Sequence, residues 1–180
     1  IRRRRGAGTV VASPEDPAGF SQTIDGVDAL LQYAKAAKLE ITRFGPLRSS
    51  DRDKADLPTT PAWIGITGLR RAPRQTRPIA LTRIAVRADI CPSQDDIVAW
   101  GGAINTLIAE HSGVTAARID QTITAVGLTR RDAEALEADA GAAALCTVRR
   151  YLDASGALFQ HSISLHPGDR FSYAMRLDRE

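Results

Sequence analysis

The sequence predicts an α+β fold in which a mainly antiparallel sheet is flanked by helices. Two observations support this class: strand-like segments recur in pairs joined by short polar turns, and segments with helical spacing interrupt those pairs. Consecutive hairpins favour antiparallel pairing, because a parallel pair needs a long crossover between its strands. The 180 residues suit one domain, and the apolar fraction of 43% is sufficient for a hydrophobic core.

Three segments have the spacing of amphipathic helices, with apolar residues on one face. They are residues 25–37, 102–112 and 130–140. Thr129 is a typical helix N-cap, and Asp132 three residues later completes a pattern similar to a capping box. The third helix is therefore expected to begin directly after Thr129.

The predicted strands surround these helices. Residues 117–128 show the clearest alternation of apolar and polar side chains, and residues 49–61 are expected to be mostly loop. Polar turns at 73–77 and 153–156 predict two hairpins. The predicted strands, in chain order, are residues 39–47, 63–72, 78–88, 117–128, 144–152, 157–165 and 171–177.

The positive charge of the chain is concentrated at its start. The formal net charge is +3, and the four arginines at positions 2–5 contribute +4, which leaves −1 for the rest. Nucleic-acid binding is therefore not expected of the main body. Residues 1–12 form a basic segment with strand-forming residues near its end, and the prolines in 13–19 indicate a linker before the main domain at 20–180.

Cysteine and histidine spacing gives no sign of a metal site. Cys91 and Cys146 are far apart, and His111, His161 and His166 form no HExxH motif. We therefore expect no zinc site, no secreted disulfide scaffold and no cofactor. The sequence also has no apolar run that could span a membrane and no signal peptide, so a cytoplasmic location is expected.

Three ordered stretches resemble one known family. Residues 2–12 read RRRRGAGTVVA, residues 129–162 read TRRDAEALEADAGAAALCTVRRYLDASGALFQHS, and residues 166–177 read HPGDRFSYAMRL. Together they are similar to the UTRA domain, which lies at the C-terminus of HutC-like members of the GntR family of transcription repressors. The segment GLRRAPRQTRPIAL at 68–81 fits the same pattern more loosely.

The resemblance implies a fold similar to chorismate lyase, with a ligand cleft between the sheet and a helix. It also implies a homodimer that senses a small metabolite and is not an enzyme. Operator DNA would be bound only by an N-terminal winged helix-turn-helix head, which this chain lacks apart from a remnant of the wing at residues 1–12. Residues 20–180 would then be the effector-binding domain.

The resemblance also places candidate ligand-binding residues. Arg70 falls where the family carries an arginine, and a guanidinium can bind a carboxylate or phosphate through two parallel hydrogen bonds. Gln160 and His166 stand where the family commonly has Glu and Tyr, and a regular strand would place both on one face. Since Gln in place of Glu removes a negative charge, we expect a small anionic metabolite as the ligand.

Ser162, Arg83 and Asn105 are further candidates. Asn105 lies at a helix start where the family often has a Ser-x-Tyr motif, and it could help backbone amides to bind an anion. Each candidate also has a structural interpretation as an exposed or ion-paired side chain. For the neighbouring Asp169 and Arg170 the structural interpretation is preferred over an acid–base pair, because adjacent strand residues point to opposite faces.

Two alternative functions stay open at this point. A ligand-free dimerisation module is compatible with the changed residues at the expected ligand positions. An enzyme similar to chorismate lyase is disfavoured, because the sequence offers no nucleophile with a paired base, no metal set and no suggestive carboxylate pair.

Overall fold

The computed structural model describes residues 37–73 and 75–174 in full, together with the backbone of three short strands near the start of the chain. A 3-10 turn at Ala88–Ile90 follows the third strand of the main sheet. The described strands and α-helices, in chain order, are β1 (Arg2–Arg3), β2 (Thr9–Val10), β3 (Phe20–Thr23), β4 (Lys38–Pro46), α1 (Ser49–Lys54), β5 (Trp63–Arg71), β6 (Ala80–Arg87), α2 (Gln94–Trp100), α3 (Ile104–Ser112), β7 (Arg118–Gly127), α4 (Arg130–Ala135), β8 (Ala143–Leu152), β9 (Leu158–Pro167) and β10 (Phe171–Ala174).

Six of these strands form one antiparallel sheet in the order β4-β5-β6-β9-β8-β7. The predicted α+β class with a mainly antiparallel sheet is confirmed, and so are the hairpins β5–β6 and β8–β9. The pairing of β6 with β9 joins these two hairpins. Outside the main sheet, β1 pairs with β2 in antiparallel orientation and β10 pairs with β3 in parallel orientation.

Helix α2 is absent from the sequence-based prediction. Only Ile97 among its residues is buried, so the apolar periodicity that would indicate a helix is missing. Its ends nevertheless follow standard capping chemistry. The Ser93 hydroxyl accepts a hydrogen bond from the backbone N–H of Asp96 at 3.1 Å, and Gly101 ends the helix with a left-handed φ of 62°.

Helix α4 begins as predicted but ends before residue 140. The Thr129 hydroxyl accepts a hydrogen bond from the backbone N–H of Asp132 at 3.2 Å, which confirms the predicted N-cap. The helix ends early because Glu137 adopts a left-handed φ of 52°, and the N–H of Ala138 donates to the carbonyl of Ala133. This is a Schellman ending with glutamate where glycine is usual, so no glycine marks the helix end in the sequence.

Several predicted segments lie partly or wholly outside the described residues. They are most of the basic segment at 1–12, the linker at 13–19, the first predicted helix at 25–37 except for Ala37, residue 74 of the turn at 73–77, and the end of the last predicted strand at 175–177. The segment 49–61, predicted to be mostly loop, contains the short helix α1.

Apolar clusters cover both faces of the sheet. The first face packs against α2 and α3, and its buried apolar residues are Ile66, Ile84, Val86, Ile90, Ile97, Ile104, Ile108, Tyr151 and Phe159. The second face packs against α4, and its buried apolar residues are Leu81, Leu128, Ala133, Leu136, Ala144 and Leu165. Strand β9 lies in the middle of the sheet, so its side chains are covered on both sides.

Arg170 connects three separate parts of the fold. Its guanidinium is only 2% exposed and donates hydrogen bonds to the carbonyls of Pro78 at 3.0 Å, Leu136 at 2.8 Å and Glu137 at 3.2 Å. Its Nε donates to the Asp169 carboxylate at 3.0 Å, which is possible because both residues lie in a turn and not on a strand. These contacts support the structural interpretation of this pair.

Two histidines of β9 are buried on opposite faces of the sheet. His161 is 4% exposed and His166 is 1% exposed, and the His166 ring stacks on Phe171 with 3.9 Å between ring centroids. Burial disfavours the charged imidazolium and lowers the pKa of His161 to about 4 and that of His166 to about 3. Both rings are therefore neutral in the folded protein at neutral pH.

The contacts of Arg170 predict a large loss of stability in Arg170→Ala. This variant leaves several buried carbonyls without donors, so we expect the free energy of unfolding to fall by about 3 kcal/mol in urea denaturation. Arg77→Ala is the matched control, because Arg77 contacts the same Asp169 carboxylate at 3.1 Å on the exposed surface. In Arg77→Ala the free energy of unfolding should fall by no more than about 1 kcal/mol. Equal losses of stability in the two variants would contradict this role of Arg170.

Burial of His166 predicts a loss of stability in acid. The unfolded chain binds a proton at this residue below about pH 6.5, whereas the folded chain does so only near pH 3, so stability falls as the pH decreases between these values. At pH 5 the loss from His166 should be about 2 kcal/mol relative to pH 8.

The measurement is urea denaturation at several pH values for the parent chain and for His166→Phe. The phenylalanine ring retains the stacking position but does not titrate, so the variant should lose less stability between pH 8 and pH 5. His111→Phe is the control on the exposed surface and should retain the pH dependence of the parent. An unchanged pH dependence in His166→Phe would show that His166 is not the group responsible.

Candidate functional site

Buried polar side chains form a group on the first face of the sheet, which we name the polar cluster. They come from β5, β6, β8 and β9 and are Arg70, Thr82, Thr147, Arg149, Gln160, Ser162, Ser164 and His166. The strand register places them side by side: Ser164 lies opposite both Thr82 and Thr147, and Ser162 lies opposite Arg149. The alternation along each strand directs Gln160, Ser162, Ser164 and His166 to the same face.

Four of the sequence candidates belong to the polar cluster, namely Arg70, Gln160, Ser162 and His166. Arg149 lies there as well; the family resemblance makes it a weaker candidate on the strand before the 153–156 turn, with a structural ion pair as the alternative. Thr82, Thr147 and Ser164 were missed. Their positions alternate with apolar residues along the predicted strands, but only the strand order reveals that they meet.

Arg83 and Asn105 lie outside the polar cluster. Arg83 follows Thr82 on β6 and therefore points to the second face, where it forms an ion pair with Asp132. Asn105 is half-buried in the first turn of α3, which begins at Ile104 without a side-chain cap. The structure therefore does not bring Arg83 together with the other candidates.

Hydrogen bonds hold the two arginines of the polar cluster in place. Nη1 of Arg70 donates to the carbonyl of Ala37 at 2.7 Å. Nε of Arg149 donates to Oε1 of Gln121 at 2.5 Å, and the amide of Gln121 in turn donates to the Tyr173 hydroxyl at 2.6 Å. These contacts fix the orientation of both guanidinium groups, whose forked geometry is suited to oxyanions.

The polar cluster contains two buried arginines and a buried neutral histidine. Burial is the main cause of the low pKa of His166, and the charges of Arg149 and Arg70 lower it further. The imidazole is therefore neutral at neutral pH, and its low pKa makes it only a weak base. No Asp or Glu is buried anywhere among the described residues. The arrangement is consequently suited to binding an anion.

Gln160 has an unsatisfied polar atom. Its side chain is 3% exposed, and its Oε1 accepts no hydrogen bond from any residue that the structure describes. A buried carbonyl oxygen without a donor costs about 1–3 kcal/mol. A bound molecule with an N–H or O–H group could supply the missing donor at this position.

The two cysteines are poorly suited to thiolate chemistry. Burial raises the pKa of the Cys91 thiol to about 11 and also raises the pKa of Cys146, so both stay protonated at neutral pH. In the described part of the chain, no three His, Cys, Asp or Glu side chains are grouped for metal binding. Over the same part of the chain, no helix has the length and apolar character needed to cross a membrane.

Similar structures have the same fold. The effector domain of PhnF from Mycobacterium smegmatis matches with a TM-score of 0.71 and 17% identity, over 89% of this chain and 100% of that chain. A structure of PhnF from the same organism matches with a TM-score of 0.70 and 20% identity, over 99% of this chain and 78% of that chain. A GntR-family transcriptional regulator from Enterococcus faecalis matches with a TM-score of 0.64 and 20% identity, over 78% and 99% of the two chains.

Sequence comparison identifies the family more directly than these structures do. No curated protein sequence matches the chain significantly. The family profile of the UTRA domain, however, matches residues 36–172, which span β4 to β9 and the start of β10. This range is more than half of the chain and includes every residue of the polar cluster. The chain therefore belongs to the UTRA domain family.

Proposed function

We propose that this domain binds a small anionic metabolite at the polar cluster and thereby controls DNA binding by a GntR-family transcription repressor. The observation that carries the proposal is the group of buried polar side chains on one face of the sheet, with two oriented guanidinium groups and no buried carboxylate among the described residues. Two buried guanidinium groups beside buried hydroxyls offer several hydrogen-bond donors to an anionic ligand.

The chemistry of the polar cluster narrows the class of ligand. Arg70 and Arg149 suit a carboxylate, phosphate or phosphonate group, and the hydroxyls of Ser162, Ser164 and Thr82 add neutral donors. The open acceptor on Gln160 favours a ligand that also carries an N–H or O–H group. We therefore infer a compact polar metabolite with an anionic end and a hydrogen-bond donor.

The regulatory part of the proposal draws on the related proteins. One similar structure is described as the effector domain of PhnF, and another as a GntR-family transcriptional regulator. By analogy we propose a cytoplasmic homodimer of the HutC type, in which residues 1–12 are the end of a winged helix-turn-helix wing and residues 13–19 are the linker. The backbone pairing of β1 with β2 is compatible with a wing hairpin.

The side chains of the polar cluster are better suited to binding a ligand than to catalysing a reaction. His166 is only a weak base at neutral pH, and both cysteine thiols stay protonated. The polar cluster has donors that can hold a ligand and no group suited to proton transfer near neutral pH.

The domain by itself is expected to bind a ligand of this class. In a thermal-shift screen of sugar phosphates, sugar acids, amino-acid derivatives, imidazole acids and phosphonates, at least one compound should raise the Tm by several degrees. A ligand at about 100 times its Kd adds roughly 2.7 kcal/mol of stability. The shift should be strongly reduced in Arg70→Ala and in the milder Ser162→Ala, each compared with its own ligand-free Tm.

Arg71→Ala is the matched control for Arg70→Ala. Arg71 is the next residue on β5 and points to the second face, where it contacts Glu40 at 3.1 Å and Glu137 at 3.4 Å. The control should retain the full ligand-induced shift. An equal loss in Arg71→Ala and Arg70→Ala would refute the polar cluster as the binding site, and a panel without any shift would favour a ligand-free dimerisation module.

In the intact repressor, ligand binding is expected to change the affinity for DNA. The ligand identified above should change the affinity for operator DNA by about 5- to 150-fold, which corresponds to a coupling free energy of 1–3 kcal/mol. Fluorescence anisotropy with labelled operator DNA measures this change, and Ser162→Ala should reduce it. An operator affinity that stays constant at saturating ligand would exclude the regulatory role while leaving ligand binding intact.

A further inference from the structure

A cleft lies on the second face of the sheet, between helices α1 and α4. Its volume is about 670 Å³, and the sheet separates it from the polar cluster. Basic residues dominate its charged lining, and we name it the basic cleft. The basic residues in its lining are Arg43, Arg48, Lys54, Arg83 and Arg131.

The two acidic residues in the lining are already engaged by arginines. The Asp51 carboxylate contacts Arg48 at 2.9 Å and Arg43 at 3.8 Å. Asp132 forms the ion pair with Arg83 described above. The acidic side chains therefore orient three of the basic ones but do not neutralise the cleft as a whole.

Lys54 and Arg131 supply two of the three excess positive charges in the lining of the basic cleft. Lys54 is exposed on α1 and Arg131 is exposed on α4, so the two residues face the cleft from opposite sides. Neither forms an ion pair with any residue in the described part of the chain. An anion between the two helices could contact both.

His161 forms part of the floor of the basic cleft. It lies between Gln160 and Ser162 on β9 and therefore points away from the polar cluster. Its side chain is 4% exposed, yet its ring makes no hydrogen bond to another described residue. Burial, together with the charge of Arg150, keeps its pKa at about 4, so at neutral pH the ring is neutral and offers one N–H donor.

We propose that the basic cleft is a second binding site, for a small phosphate-bearing anion held by Lys54, Arg131 and the His161 ring. A phosphate group offers several acceptor oxygens, which match two cationic side chains at the rim and a neutral donor at the floor. The volume leaves room for a small organic group in addition to the phosphate. The site is independent of the function proposed above, because it uses the opposite face of the sheet.

The test uses the 180-residue chain labelled with ¹⁵N and titrated with inorganic pyrophosphate, with sodium chloride adjusted to hold the ionic strength constant. Saturable chemical-shift changes are expected at the amides of α1, α4 and His161. The double variant Lys54→Ala/Arg131→Ala should raise the Kd for pyrophosphate at least tenfold. Because both residues are exposed, this variant should keep the fold of the parent.

Two control variants make the result specific. Arg130→Ala removes the exposed neighbour of Arg131 that does not line the basic cleft, and it should bind pyrophosphate like the parent. Ser162→Ala alters the polar cluster on the other face and should also leave pyrophosphate binding unchanged. If the metabolite screen gives no thermal shift but pyrophosphate binds as expected, only the effector proposal is rejected.

Three outcomes would overturn the proposal. The first is a titration without saturable shifts, and the second is equal binding by the parent and the Lys54→Ala/Arg131→Ala variant. The third is a change of oligomeric state in that variant, measured by sedimentation velocity, while pyrophosphate leaves the parent spectrum unmoved. In the last case the basic cleft is an interface between copies of the chain and not a ligand site.

Discussion

The burial of strand β9 on both faces is the constraint on which the rest of the domain depends. This strand pairs with β6 on one side and β8 on the other, and apolar clusters cover the sheet above and below it. A buried polar side chain is tolerated only if a partner satisfies it. Side chains of the neighbouring strands satisfy some of these polar groups, as in the 3.0 Å hydrogen bond between the hydroxyls of Thr82 and Ser164. Other groups have no such partner. The buried Oε1 of Gln160 accepts no hydrogen bond from any described residue, and a ligand can supply the missing donor.

Local patterns were sufficient to predict much of the fold. The hairpins and the N-cap at Thr129 follow from residues close in sequence, and these features are confirmed. Helix α2 was missed because a single buried residue, Ile97, gives no periodicity, and the early end of α4 was missed because Glu137 occupies a position usually taken by glycine. The polar cluster was predicted in part, since family resemblance and strand alternation place Gln160, Ser162 and His166 together. Thr82 and Thr147 could not be included, because their proximity depends on the order of strands that are distant in sequence.

The arginines illustrate why residue type alone does not define a role. Arg170 is buried and donates to three backbone carbonyls, so its guanidinium holds turns and a helix end together. Arg83 lies on the second face and pairs with Asp132, whereas Arg70 is oriented by a backbone carbonyl on the first face. In the sequence these residues look alike. The surroundings that the tertiary structure gives them decide whether they stabilise the fold or face a possible ligand.

The alternation of side chains along β9 has a consequence for how this domain can change over time. Consecutive residues such as Gln160 and His161 belong to different surfaces, so single substitutions can alter one surface and leave the other intact. An insertion or deletion of one residue would instead exchange the two sets of side chains across the sheet. A change in the length of β9 would therefore disturb both surfaces at once, whereas a substitution disturbs only one of them.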